Sequence, residues 1–130
     1  TMQANPSYTD VVGDTVTYFR ERLQTLVEAG ISKESICLDP GIGFGKTLDQ
    51  TLLQLRRLSE YAALGQPICL GVSRKGFLGQ ITGRDRAGRL ASTLAVNCFA
   101  IAQRNAHIVR VHDVAGHRDA VRMAEAIGLR

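Results

Sequence analysis

The sequence has 130 residues, 45% of them hydrophobic and 22% charged, so residues 1–130 read as a single globular domain. The formal charge of +4 is scattered along the chain, and only 5% of residues are aromatic with no tryptophan; small anions therefore fit better as partners than nucleic acid, which needs a basic run or a stacking platform. The longest apolar runs are five or six residues, too short for a membrane span, and the opening TMQANPSYTD lacks the regions of a signal peptide, which makes the cytoplasm the expected compartment.

In chain order, Val12, Val16, Phe19, Leu23 and Leu26 recur at spacings of three and four and predict an amphipathic helix from about Asp10 to Ala29, ended by Gly30. SICLDPG is a short strand stopped by Asp39-Pro40-Gly41. A helix is expected over about Asp49–Leu64, then a strand PICLGVS, a helix RLASTLAVNCFAIAQRN, a strand HIVRVHDV and a last helix RDAVRMAEAIGL. Strands apolar on both faces and alternating with helices predict a parallel sheet with helical crossovers. No internal repeat is evident. Cys37, Cys69 and Cys98 lie in apolar segments without CxxC spacing, so reduced, packed thiols are expected, with neither disulfide nor zinc.

Such sheets place their chemistry at the carboxyl ends of the strands. Here the first strand ends in Asp39 and a glycine-rich loop, the second in Ser73-Arg74-Lys75, and the third in Arg110, His112 and Asp113. Each has a plainer explanation beside the functional one. Asp39 before Pro-Gly is also a turn former. GIGFGKT is not a phosphate loop, because Pro40 stands where GxxxxGK[ST] needs its first glycine; it reads as a flexible surface loop with Phe44 at its tip, able to close over a flat ligand. Arg110 and His112, two apart, emerge on one face of a strand and suit phosphate oxygens, or else form an arginine–carboxylate pair and a packed histidine. Lys75 is a solvated residue, a phosphate or carbonyl ligand, or a Schiff-base nucleophile. Asp113 reads as a helix cap, and His107 and His117 as surface residues.

LDPGIGFGK, GVSRKGFLG and VRVHDV, in this order, resemble the second half of dihydropteroate synthase, and TMQANPSYTDVV resembles that family's segment after its fifth barrel strand. The resemblance runs essentially the whole length of the chain. It implies a (β/α)8 TIM barrel of which this chain holds about strands six to eight, the chain being a fragment of a longer one that is a homodimer when complete. It further implies folate biosynthesis: 4-aminobenzoate joined to 7,8-dihydropterin-6-ylmethyl diphosphate, giving 7,8-dihydropteroate and pyrophosphate, in an enzyme targeted by sulfonamides. Carried over by position, Asp39 would bond the pterin's amino and ring N–H edge and Lys75 its oxygen and ring-nitrogen side, these two being the catalytic pair. Gly71 would allow close approach, Phe44 would line the aminobenzoate wall, Arg110 and His112 would hold the diphosphate, Gly76 would face the aminobenzoate side, and Arg74 would brace the loop or that same side. Mg2+ is the implied cofactor, with its ligand outside this chain.

Three positions depart from the family pattern. Gly76 replaces a serine that contacts the aminobenzoate carboxylate, its backbone N–H being the available substitute, while Thr51 and Asn105 replace an asparagine and a glycine in structural places. Two other readings remain: a lyase on the same barrel using Lys75 as a Schiff base, and a non-catalytic half-barrel. In the latter, exposed strand edges pair with another chain, since three parallel strands leave two edges open.

Overall fold

The computed structural model describes residues 10–128; the resemblance at the first nine residues lies outside them. Helix α1 spans Val11–Glu28, close to expectation. Asp10 caps it, its carboxylate accepting from the Gly13 N–H at 3.1 Å, and Gly30 follows its end with φ +96°, a backbone that favours glycine. Val11, Val12 and Phe19 form its buried face. Phe19 meets Tyr61 edge-on, with ring centroids 5.8 Å apart.

The long helix expected over Asp49–Leu64 is two. Leu48–Arg56 (α2) opens on a capping box, in which Thr47 and Gln50 bond each other's backbone N–H. Leu58–Ala62 (α3) follows after a break at Arg57 (φ −111°, ψ 24°). That arginine pairs with Glu60 and reaches Asp10 at 3.4 Å, tying the break to the cap of α1.

The sheet is parallel and short. Leu38 bridges Ile68, and Cys69–Leu70 (β1) pairs with Ile108–Val109 (β2), Cys69 opposite Ile108 and Leu70 opposite Val109. The first predicted strand is thus reduced to a single bridge, because Pro40 brings no N–H to extend the ladder. Leu38, Ile68, Leu70 and Val72 turn into the core. The opposite face carries Cys37, Asp39, Cys69 and Arg110 and is largely open. Cys37 is accordingly exposed, not packed as its apolar neighbours suggested; all three cysteines are free thiols.

Helix α4, Gly76–Thr82, was not legible in the sequence. Its two glycines weaken helix propensity, and burial of Phe77 and Leu78 outweighs that penalty. Leu90–Ala102 (α5) is followed by Arg104 at φ +61°. The last helix, α6, spans Val114–Gly128, starting four residues before the predicted Arg118. The added turn buries His117 against α5, correcting its expected surface position: it is 3% exposed and bonds Asn97 at 2.9 Å. His107 is exposed as expected and accepts from the Ile68 N–H at 3.0 Å. Among the described residues no helix is long and apolar enough to cross a membrane.

Candidate active site at the strand ends

The sheet register decides which strand-end groups meet. Continuing the β1–β2 pairing from Leu70 and Val109 places Gly71 beside Arg110 and Ser73 beside His112, because parallel strands advance in step. The Arg110 guanidinium lies across Gly71, and a Cβ there would collide with it. The close approach that Gly71 allows is therefore filled by a side chain of the protein itself. Arg110 donates to the second carboxylate oxygen of Asp39 at 2.8 Å, while the first oxygen accepts from the Gly41 N–H at 2.9 Å. Both plain readings hold here: Asp39 makes the turn, and Arg110 is paired. The pairing raises the Arg110 guanidinium further above its usual range, yet the two side chains remain 57% and 38% exposed, so water screens the bond.

Ser73, at the end of the second strand, carries no functional signal in the sequence beyond its place. Its Oγ lies 2.7 Å from His112 Nδ1 and accepts from the His112 backbone N–H at 3.1 Å, fixing the imidazole plane. His112 Nε2 faces outward, 3.5 Å from the Arg86 guanidinium.

The GIGFG loop is not the loosely held loop that composition suggested. Gly41, Gly43 and Gly45 all adopt positive φ (+66°, +83° and +63°), which curls the chain so that its carbonyls turn inward. Lys46 donates to the carbonyls of Gly41 and Phe44 at 2.9 and 2.8 Å, Lys75 to that of Ile42 at 2.6 Å, and Ile42 is fully buried. Buried Gln54 of α2 adds a bond to the Pro40 carbonyl at 3.2 Å. A lysine directly after a glycine-rich turn was the available signal for this cage.

Lys75 is the hinge of the arrangement. Its Nζ stands 4.1 Å over the Phe44 ring, a cation–π contact. Burial above all, helped by the Arg110 and Lys46 cations and opposed by Asp39, lowers its pKa to about 8. Lys75 and Phe44 separate two concavities. One, of about 260 Å³, is lined by Gly71, Ser73, Arg110 and His112; the other, of about 320 Å³, extends past Gly76 to Thr51, Phe77 and Gln80. A further cavity, about 410 Å³, lies around Ala106 and His107, at the opposite end of the strands from this chemistry.

Arg74 points away from both concavities. Its guanidinium grips Asp113 at 2.7 and 3.2 Å, which holds the Asp113 carboxyl below its usual range. Asp113 does precede α6, but its carboxylate is committed to Arg74 and not to capping. Gly76 is exposed at the start of α4 with nothing within 4 Å of where a Cβ would be. Thr51 is buried, and Asn105 donates its N–H to the Ala100 carbonyl.

Comparison with known proteins decides the family: residues 1–112 match the family model described as pterin binding enzyme. The chain belongs to the pterin-binding enzyme family. Within that family it is 45% identical to the dihydropteroate synthase of Neisseria meningitidis serogroup C, over 98% of this chain and 46% of the relative. Among solved structures it superposes on the Thermus thermophilus dihydropteroate synthase in complex with 4-aminobenzoate (TM-score 0.90, 39% identity, 98% of this chain and 51% of that one), an enzyme also solved with 6HMPPP. It superposes equally on the Yersinia pestis enzyme with a sulfonamide drug complex (TM-score 0.92, 36% identity, 97% and 46%). The chain spans about half the length of the relatives it matches, and its parallel β/α units are part of a (β/α)8 barrel.

Proposed function

We propose that this chain forms the pterin and diphosphate side of a dihydropteroate synthase, which condenses 7,8-dihydropterin-6-ylmethyl diphosphate with 4-aminobenzoate. The observation that carries the reading is the pair of adjoining concavities that share Lys75 and Phe44 as their wall. Two reactants must meet with their reacting atoms in contact, and two pockets divided by one side-chain pair provide that. Asp39 bonds the pterin edge, Lys75 reaches its oxygen and ring-nitrogen side, and Arg110 with His112 holds the diphosphate. The aminobenzoate lies past Phe44 toward Gly76.

The C–O bond to the diphosphate breaks with both electrons leaving on pyrophosphate, and the aminobenzoate nitrogen bonds the methylene carbon and gives up a proton. Positive charge develops on the pterin, where Asp39 opposes it, while negative charge grows at Arg110 and His112. The described residues contain no group of three or more His, Cys, Asp or Glu that could hold a metal. The Mg2+ that the family implies would take its protein ligand from outside this chain.

The open sheet face and short strands support a partner that completes the barrel, either an amino-terminal half or another chain, with a homodimer as the complete assembly. Three free thiols support a cytoplasmic location. Titration of the chain with the pterin diphosphate, followed by pterin fluorescence anisotropy, tests the reading. Saturable binding lost in Asp39→Asn is the expected result; a folded chain that binds equally with either residue overturns Asp39's role. The lowered pKa of Lys75 also favours the Schiff-base reading. Borohydride treatment with carbonyl substrates is expected to leave Lys75 unmodified.

A further inference from the structure

We propose that Arg89, Thr93 and Asp113 act together as positioning residues for the Lys75 ammonium, by locking the backbone of Arg74 into the turn that sets Lys75 over Phe44. This rests on the reading of Lys75 as a pterin ligand for its functional meaning, though not for its geometry. Arg74 has φ +56°, the left-handed region that disfavours any residue with a Cβ and persists only where surrounding contacts over-determine it.

Those contacts come from three separate places, one for each bonding group of the residue. The Arg74 N–H donates to Thr93 Oγ1 at 3.1 Å, its carbonyl accepts from the Arg89 guanidinium at 2.9 Å, and its own guanidinium is held by Asp113. Each anchor is itself fixed. Thr93 is fully buried and donates its hydroxyl hydrogen to the Arg89 carbonyl at 2.6 Å, which leaves a lone pair aimed at the Arg74 N–H. Arg89 also bonds the Arg84 carbonyl at 3.2 Å, and it occupies the space that Gly79 leaves without a Cβ.

Asp113 is steadied through its carbonyl, which accepts from the His117 backbone N–H at 3.2 Å and from Nδ1 of the same ring at 2.8 Å. With Nδ1 donating there, Nε2 is free to accept from the buried Asn97 amide at 2.9 Å. Thr93 and Asn97 are four apart and share one face of α5. Buried polar groups need a reason to be where apolar ones pack more cheaply. Thr93 meets the turn preceding Lys75 directly, and Asn97 and His117 reach it through Asp113. One residue further back Ser73 is bound to His112, so Lys75 leaves a backbone anchored at the two residues that precede it.

The test reads Lys75 itself, with no substrate present. The chain is acylated with acetic anhydride across a pH series and the Lys75 peptide is quantified by mass spectrometry, with Lys33 as internal reference. In the parent chain the reactivity midpoint is expected at about 8, the lowered pKa of Lys75. Thr93→Val removes the acceptor for the Arg74 N–H, and the midpoint is expected to rise by about one unit or more as the ammonium regains solvent; Thr93→Ser restores it. Where Thr93→Val fails to fold by circular dichroism, Asp113→Asn, which keeps the side-chain shape, carries the same reading. An unchanged Lys75 midpoint in a folded variant overturns the proposal, as does collapse of the fold in both, which would make these contacts purely structural. Because no pterin is involved, failure here is separable from failure of the proposed function.

Discussion

Replacing Arg110 with methionine separates its two roles, because methionine keeps an unbranched apolar stem and removes the charge together with its N–H donors. The bond lost to Asp39 is screened, its partners being 57% and 38% exposed, and such pairs contribute about 0–1 kcal/mol. Stability should therefore fall by no more than about 1 kcal/mol. Binding of pyrophosphate should fall much further. A hydrogen bond to a charged group is worth about 1.5–3 kcal/mol, and at 1.4 kcal/mol for each tenfold change that is roughly 10- to 150-fold in affinity. Calorimetric titration with inorganic pyrophosphate, beside a thermal melt of the same preparation, measures both. An unchanged pyrophosphate affinity in a folded Arg110→Met chain would remove the arginine from the diphosphate site and leave it as the structural partner of Asp39. A loss of several kcal/mol of stability would show that the pair is not the weak, solvent-screened contact described here.

Gly71→Ala puts a methyl group where the Arg110 guanidinium lies; the side chain must move off Asp39, and pyrophosphate affinity is expected to drop several-fold with little change in melting temperature. Gly76→Ser meets open space, so the fold is expected to be unaffected while affinity for 4-aminobenzoate rises, read by fluorescence titration; an unaltered affinity counts against Gly76 facing that carboxylate. Lys75 gives a pH signature. Its pKa in the folded chain, about 8, lies below the usual 10.5, so between those values the unfolded chain binds more protons and stability gains with rising pH. Denaturant melts of the parent chain relative to Lys75→Met should shift in the parent's favour from pH 8 to 10.5, and parallel curves would mean that Lys75 is not held in a desolvated place.

What the sequence made legible follows from how local each signal is. The helix after Asp10 carries its cap, its periodic face and its terminal glycine within one segment, and the structure reproduces it nearly residue for residue. Parallel strand ends were legible as a class, since apolar runs stopping in polar residues recur three times. Which of those residues pair was not. Asp39 and Arg110 lie 71 positions apart, and Arg74 and Asp113 lie 39 apart, so only the register of the sheet brings them together. His117 read as exposed because Arg118 and Asp119 follow it; its burial depends on Asn97 of another helix. Helix α4 was hidden by Gly76 and Gly79, whose local preference is against the helix that Phe77 and Leu78 stabilise by packing.

The Asp39–Arg110 bond gives the proposed chemistry an order. In the structure the cation proposed to hold the diphosphate rests on the carboxylate proposed to bond the pterin. A diphosphate competes for Arg110 as a doubly hydrogen-bonded anion, a stronger partner than one exposed carboxylate oxygen. When it draws the guanidinium away from Asp39, the second oxygen of that carboxylate is left free to face the pterin edge. Binding the leaving group thus exposes the group that stabilises the cation its departure creates. A pterin without a diphosphate has to displace Arg110 unaided, which places the selectivity for the activated substrate in a weak ion pair. Strengthening that pair by burial would oppose this exchange, and its exposure of 57% and 38% keeps the cost of breaking it low.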